Sequence, residues 1–174
     1  WILIHVIKDK LKIGEPDEPG FIFNMSVGYD LKGIMQDNVQ WFLDKMTDAS
    51  FELVTKVFEL KDLYPNLSKM TISQHLSDNI TLSTMHGCPP EEIEKIAEYL
   101  ITERKLNTTI KLNPTLLGKK ELQSIIKNSG FATEVPDEAF AHDLKYEDAL
   151  KIITNLKQKA KETGVEFGLK LTNT

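Results

Sequence analysis

The only cysteine of this 174-residue chain, Cys88, stands two residues after His86 in the run HGCPP. Pro90, Glu91 and Glu92 follow it as the first turn of a helix, where proline loses no donor and acids face the positive end of the dipole. A thiol just ahead of a helix N-terminus is expected to have a lowered pKa and to act as nucleophile or proton donor. A half-buried, unreactive thiol is the alternative these residue types leave open. His86 and Cys88 do not suggest a metal site, because no other nearby His or Cys completes a set of about four ligands. Two lysines, Lys111 in TIKLN and Lys170 in GLKLT, lie inside strand patterns. Such a lysine either meets solvent at an edge or faces an anionic or carbonyl partner, since an unpaired buried ammonium is costly. Each is followed within three residues by an asparagine, Asn113 or Asn173. An amide that donates and accepts suits the edge of a pyrimidine-like or flavin ring, so a polar, ligand-reading interior is expected.

The elements that must position these groups follow from periodicity. Residues 80–85 alternate Ile80, Leu82 and Thr84 against Thr81, Ser83 and Met85, which predicts a strand. Ile93, Ile96, Ala97, Leu100 and Ile101 recur at helical spacing after Pro90, with Glu91 and Glu92 left to the dipole and to solvent. Asn107 is expected to close that helix and residues 108–113 to form a second strand. A strand returned through a helix runs parallel to its predecessor. Ser83, Thr84, His86 and Cys88 therefore share one rim with Lys111 and Asn113, the rim at which α/β sheets and barrels bind ligands.

Elsewhere the pattern predicts a helix with one buried stripe over residues 1–13, where His5 is a structural ring beside Ile4, Ile7 and Leu11. A strand over 21–27 ends at Gly28, Tyr29 and Asp30. Helices follow over 37–48 and 50–63, the second capped by Ser50, then a loop with one helical turn that leaves His75 exposed. A helix over 119–128, a short strand over 131–135, a helix over 146–163 and a last strand over 165–174 complete the chain. This alternation selects the α/β class. A closed eight-stranded barrel takes roughly 250 residues, so the expectation is a partial (β/α)8 TIM barrel, parallel strands alternating with helices. A small open α/β sheet is the alternative.

A hydrophobic content of 41% allows one real core, hence a single domain over residues 1–174. The net charge of −5, without a basic block, argues against a nucleic-acid face and for a small-molecule partner. No apolar run approaches the roughly 20 residues of a membrane span, and no signal sequence is evident, so a cytoplasmic location is expected. One cysteine forms no disulfide framework and does not hold an iron–sulfur cluster, which takes about four thiolates. The chain opens on Trp1 and reads as part of a longer protein.

The segments FIFNMSVGYDL, TLSTMHGCPPEEIEKIAEYL, IKLNPTLLG and FGLKLTNT together resemble the amino-terminal region of bacterial selenate reductase-like flavoprotein subunits. That region is in turn similar to the flavin-binding barrels of dihydroorotate and dihydropyrimidine dehydrogenases. The resemblance implies a barrel segment that cradles flavin mononucleotide (FMN), joined to further redox domains that carry FAD, NAD(P) and 4Fe-4S clusters. It implies an oxidoreductase that moves electrons from a reduced pyridine nucleotide through flavin and iron–sulfur centres to a small heterocycle or oxyanion. The segment alone is not expected to turn over. By the same resemblance Lys111 matches the flavin-contacting lysine of a KLTP strand, and Ser83 matches the serine of an NLSCP strand end. Asn173 and Thr174 match a substrate-contacting TNT segment, and Asp30 falls where a substrate-reading asparagine stands. Thr81 replaces the asparagine of NLSCP and Thr84 its catalytic cysteine, while Cys88 comes four residues later. Expected roles are thus proton exchange by Cys88 or Thr84, flavin contacts from Lys111, Ser83 and Lys170, and substrate contacts from Asp30, Asn113, Asn173 and Thr174. The alternative function is a non-catalytic barrel that scaffolds the redox modules.

Overall fold

The computed structural model describes residues 1–15, 20–28, 30–83, 88–141 and 143–171. Thr84, His86, Asn173 and Thr174 lie outside the described residues. In chain order the elements are α1 (Ile2–Leu11), β1 (Asn24–Val27), α2 (Leu31–Ile34), α3 (Asp37–Thr47) and α4 (Ser50–Leu60). A 3₁₀ turn, Pro65–Lys69, precedes β2 (Asn79–Leu82), α5 (Pro90–Thr102) and β3 (Asn107–Lys111). A second 3₁₀ turn, Pro114–Leu117, leads into α6 (Lys119–Asn128), α7 (Asp137–Ala141), α8 (Tyr146–Thr163) and β4 (Phe167–Lys170). The chain groups into two compact units, one of Trp1–Asn24 with Asp37–Asp78, the other of Met25–Gln36 with Asn79–Thr174.

In the first unit, Leu43, Met46, Leu53 and Leu67 are buried. The amides of Leu76 and Ser77 both donate to the Met46 carbonyl. The predicted buried stripe of α1 is corrected here: Ile7 and Leu11 are exposed, and His5 is the buried residue of that helix. Its ring meets the edge of Trp1 at 5.2 Å, and the Trp1 indole donates to the Ser73 carbonyl, so an aromatic pair fills the space the aliphatic stripe was expected to fill. Phe51, Val54 and Phe58 on α4 are likewise exposed, and Leu53 is the residue that turns inward. Ser50 is the first helical residue rather than the cap, its amide taken by the Asp48 carboxylate at 2.9 Å. His75 is exposed as expected, with Nδ1 2.9 Å from the Thr47 carbonyl.

The second unit is built on a four-stranded sheet in the order β1-β2-β3-β4. β2 and β3 are parallel, with Ile80 beside Thr108 and Leu82 beside Ile110; β3 and β4 are parallel, with Ile110 beside Leu169. Ile80, Leu82, Thr108 and Ile110 are almost wholly buried. The amphipathic faces of α5 (Ile93, Ile96, Ala97, Leu100, Ile101) and α8 (Ala149, Ile152, Leu156, Ala160) supply the rest of this core. On their outer side the two helices are linked by Lys159 to Glu98 at 2.5 Å and Asn155 to Glu94 at 2.8 Å. α8 ends as read, with Gly164 in the left-handed conformation (φ 79) that closes its last turn onto the Ala160 carbonyl.

Several boundaries differ from the sequence reading. Asn107 opens β3 instead of closing α5, because its side-chain oxygen accepts from the Glu166 amide at 2.8 Å and so joins β3 to the start of β4. No strand forms over residues 131–135. There the Thr133 carbonyl and the Val135 amide bond the Gln123 side chain of α6, which replaces a ladder partner. The acidic stretch after it is α7.

β1 meets β2 through the Ser83 amide, which donates to the Val27 carbonyl at 2.8 Å. Gly28 follows at a close backbone approach: a Cβ placed there would lie 2.4 Å from the Ser83 carbonyl oxygen. Gly28→Ala should therefore push β1 from β2 and cost about 1–3 kcal/mol. Hydrogen exchange of peptides spanning residues 24–28 and 79–83 in the full natural polypeptide should accelerate, while Ser26→Ala leaves it unchanged.

Candidate functional site

The register of β2, β3 and β4 sorts their side chains into two faces. Ile80, Leu82, Thr108 and Ile110 alternate with a second set in which Thr81, Thr109 and Gly168 stand side by side across the three strands. All three are small. Gly168 is a close approach, since a Cβ there would come within 2.8 Å of the Thr109 hydroxyl. Two residues further along, on the same face, Lys111 and Lys170 are direct neighbours across β3 and β4. Ser83 follows β2 by one residue and falls on this face by the same alternation. Lys111 and Ser83 are half-buried and Lys170 is exposed. A low floor of two threonines and a glycine is thus bordered by two adjacent ammonium groups. Like charges directly opposite one another in a sheet repel, so this arrangement favours an anionic or electron-rich occupant.

Around this rim the sequence-predicted residues divide. Asn113 lies just past β3 and its amide nitrogen donates to Asp143 at 3.1 Å. The same carboxylate accepts from the Thr115 hydroxyl and from the Leu144 amide. Asp143 thereby fixes the Asn113 amide with its nitrogen committed inward and its oxygen available as an acceptor. Asp143 and Thr115 were not singled out from the sequence; an Asp 30 residues downstream carries no local signal of such a contact.

Asp30 caps α2, its carboxylate accepting from the Gly33 amide at 2.7 Å. The next amide, Leu31, donates to Glu92 at 2.8 Å, across 61 residues of sequence. Glu92 is therefore not simply a solvent-facing dipole residue, as its place in α5 suggested. It ties the segment after β1 to the first turn of α5. Cys88 is half-buried, and its thiol is pushed up, by burial first and then by the negative charges of Glu92 and Asp30. The expected lowering by the helix N-terminus is thus reversed, because burial disfavours the thiolate and the negative charges of Glu92 and Asp30 add to it. The group suits holding and delivering a proton rather than attacking as thiolate.

Thr84, Asn173 and Thr174 lie outside the described residues, so Lys111, Lys170, Ser83, Asn113, Asp30 and Cys88 are the predicted residues the structure places. Among the described residues no three His, Cys, Asp or Glu side chains lie together as a metal-binding group. No helix among them is long and apolar enough to cross a membrane.

Over residues 1–174 the sequence matches the family described as oxidoreductase YgfK, N-terminal TIM-barrel domain. The chain belongs to that family. It is 39% identical over 196 aligned residues to the protein named "Putative oxidoreductase YgfK" in Escherichia coli strain K12, and equally to its counterpart in Escherichia coli O157:H7. In each case all of this chain is covered but only 19% of the relative, so the chain spans about a fifth of the length of the curated relatives it matches. No solved structure matches it. The parallel sheet with flanking helices is accordingly part of a TIM-barrel domain of an oxidoreductase family, and the polar rim lies at the strand ends where barrels of this class bind their ligands.

The charge environment of Cys88 makes a direct pH prediction. A raised thiol titrates later, so less thiolate is present at any given pH. The half-maximal rate of iodoacetamide alkylation of Cys88, followed by peptide mass spectrometry, should fall at a higher pH than for a free thiol, about 8.5. Glu92→Gln keeps an acceptor for the Leu31 amide while removing one negative charge, and should move that midpoint downward.

Proposed function

We propose that this domain is the flavin-bearing part of a flavin-dependent oxidoreductase, with an FMN ring over the floor of Thr81, Thr109 and Gly168. The observation that carries the reading is the direct cross-strand pairing of Lys111 with Lys170 above that floor. The residues fit the group: a planar ring needs a flat, low surface, and Gly168 supplies one where any Cβ would crowd Thr109. When bound, the flavin supplies hydride and single-electron transfer. The chain's own part is electrostatic and positional. Lys111 and Lys170 hold positive charge where the ring edge becomes electron-rich, and Ser83 offers a hydroxyl beside them. Asn113, locked by Asp143, presents an amide oxygen toward a substrate donor. Cys88, kept protonated by its surroundings, holds a proton at Sγ for exchange with substrate.

By resemblance, Thr84 joins Cys88 in proton exchange, and Asn173 and Thr174 join Asn113 and Asp30 in reading substrate. In the parent protein, electrons from a reduced pyridine nucleotide would arrive through FAD and 4Fe-4S centres held by other domains and pass to a small heterocycle or oxyanion, selenate among the candidates. The large share of the relatives' length that lies outside this domain supports such companions.

A second reading, a barrel that scaffolds the redox modules without a cofactor, draws support from Asp30 and Asn113, both engaged in internal hydrogen bonds. One titration separates the two. Flavin-stripped full natural polypeptide is titrated with FMN and ring fluorescence is followed. Each charge-assisted hydrogen bond contributes about 1.5–3 kcal/mol, so Lys111→Met should weaken saturable quenching roughly ten- to hundredfold. Saturable quenching that Lys111→Met and Lys170→Met leave unchanged sinks the flavin assignment to this rim, and no saturable binding at all establishes the scaffold.

A further inference from the structure

α4 turns one face away from the core of the first unit. Phe51, Val54 and Phe58 recur at i, i+3 and i+7, so they stand in line along the helix, and they are 75%, 67% and 67% exposed. Together they leave on the order of 400 Å² of apolar surface in water, the size of the patches by which soluble proteins hold partners. A groove of about 380 Å³ lies between α4 and the chain that runs from the 3₁₀ turn Pro65–Lys69 to Gln74. Leu53, Leu67, Met70 and Ile72 line it, with Val54 and Phe58 on the helix side.

The polar groups around this face are largely matched already. Lys45 pairs with Glu52 and Lys56 with Glu59, each at 2.7 Å, and the Lys61 ammonium lies 3.8 Å from the centroid of the Phe58 ring. The Ser68 hydroxyl donates to the Pro65 carbonyl, and the Gln74 carbonyl accepts from the Ala49 amide. The groove therefore offers a partner apolar area and little to hydrogen-bond. An extended segment laid there would leave its own amides and carbonyls without partners, whereas a helix satisfies them internally. Charges matched in pairs likewise give little hold to a nucleic acid or an anionic lipid surface.

We propose that this groove holds an amphipathic helix of the same polypeptide from outside residues 1–174, its apolar side chains at i, i+3 and i+7 laid against Phe51, Val54 and Phe58. Length argues for that occupant. The chain covers only 19% of the relatives it matches, so in a protein of this family about four-fifths of the polypeptide is tethered to this face. A tether sets effective concentrations on the order of millimolar, which a separate protein seldom reaches. Removal of the phenylalanine and valine side chains from water supplies the drive. The site lies wholly in the first unit and does not depend on a flavin in the second.

The test is made on the full natural polypeptide, with the photo-cross-linking residue p-benzoylphenylalanine placed at Phe58 and, as a control, at the exposed Lys120 of α6. After irradiation the products are sized on a denaturing gel and the joined peptides identified by mass spectrometry. Phe58 should join, within one polypeptide, to a peptide from outside residues 1–174 with helical apolar spacing, and Lys120 should not share that target. Phe58→Glu puts a charge into the groove and removes the burial of one large side chain, so hydrogen exchange of the target peptide should speed roughly tenfold, while Phe58→Leu leaves it little changed. Exchange of α3, which carries the buried Leu43 and Met46, reports whether the first unit stays folded. A product of doubled mass assigns the face to a second copy, a join to residues 79–174 assigns it to the second unit of this chain, and either overturns the proposal. No join beyond the neighbours of α4 in the first unit, or unchanged exchange in Phe58→Glu, overturns it too. Where Phe58→Glu also loosens α3, the map of joined peptides alone decides.

Discussion

In-register parallel pairing of β2, β3 and β4 is the constraint on which the second unit rests. Because side chains alternate with a period of two, fixing Ile110 between Leu82 and Leu169 fixes every other position of those strands at once. The apolar half of β2 and β3 (Ile80, Leu82, Thr108 and Ile110) is committed to the core under α5 and α8. The polar half, from the threonine and glycine floor to the two lysines, is committed to the opposite face. A slip by one residue on β3 would bury Lys111 and expose Ile110, so the same hydrophobic burial that holds the sheet also holds the lysine pair in place. The position of the candidate chemistry is thus a by-product of core packing, with no separate device needed to bring the two ammonium groups together.

What surrounds the lysines is held by hydrogen bonds of long sequence reach. Glu92 accepts from Leu31 and Asp143 accepts from Asn113, Thr115 and Leu144. Each carboxylate draws a loop onto the end of the sheet and satisfies backbone or amide donors there. A charge-assisted acceptor of this kind is worth more than a neutral one and limits how far a loop can wander. Glu92 also adds to the effect of burial in raising the Cys88 thiol, which shows how one group can be structural toward one neighbour and electrostatic toward another.

The sequence disclosed what is local. The helical spacing of Ile93 to Ile101, the alternation of β3 and the glycine stop after α8 depend on neighbours within a few residues, and all three appear in the structure. It was silent or misleading where the decisive partner is distant. Asn107 looks like a helix end until Glu166 is seen beside it. Residues 131–135 have the β-branched and aromatic content of a strand, but Gln123 takes their hydrogen bonds. The aliphatic stripe of α1 has the right spacing for burial, whereas His5, packed against a half-buried Trp1, is the residue of that helix that is buried. Helix N-terminus chemistry suggested an acidified thiol at Cys88, and burial first, then two carboxylates, one of them on another segment, reverse it. That Lys111 and Lys170 fall near one rim was anticipated because parallel strands returned through helices end on a common rim; their direct pairing was not. The ordered floor beneath them depends on register, which no single strand's sequence contains.

β4 is the last strand of its sheet, and its far margin carries amide and carbonyl groups that no neighbouring strand among the described residues receives. Leu169 on this strand and Leu171 just after it are both exposed. Lys170 is the one charge on this short strand, and its unpaired backbone groups leave a template on which an extended peptide can pair. Handling the 174 residues as a free polypeptide would consequently invite self-adhesion along that border, and a strand laid against it would make the domain both better behaved and more nearly a closed cylinder.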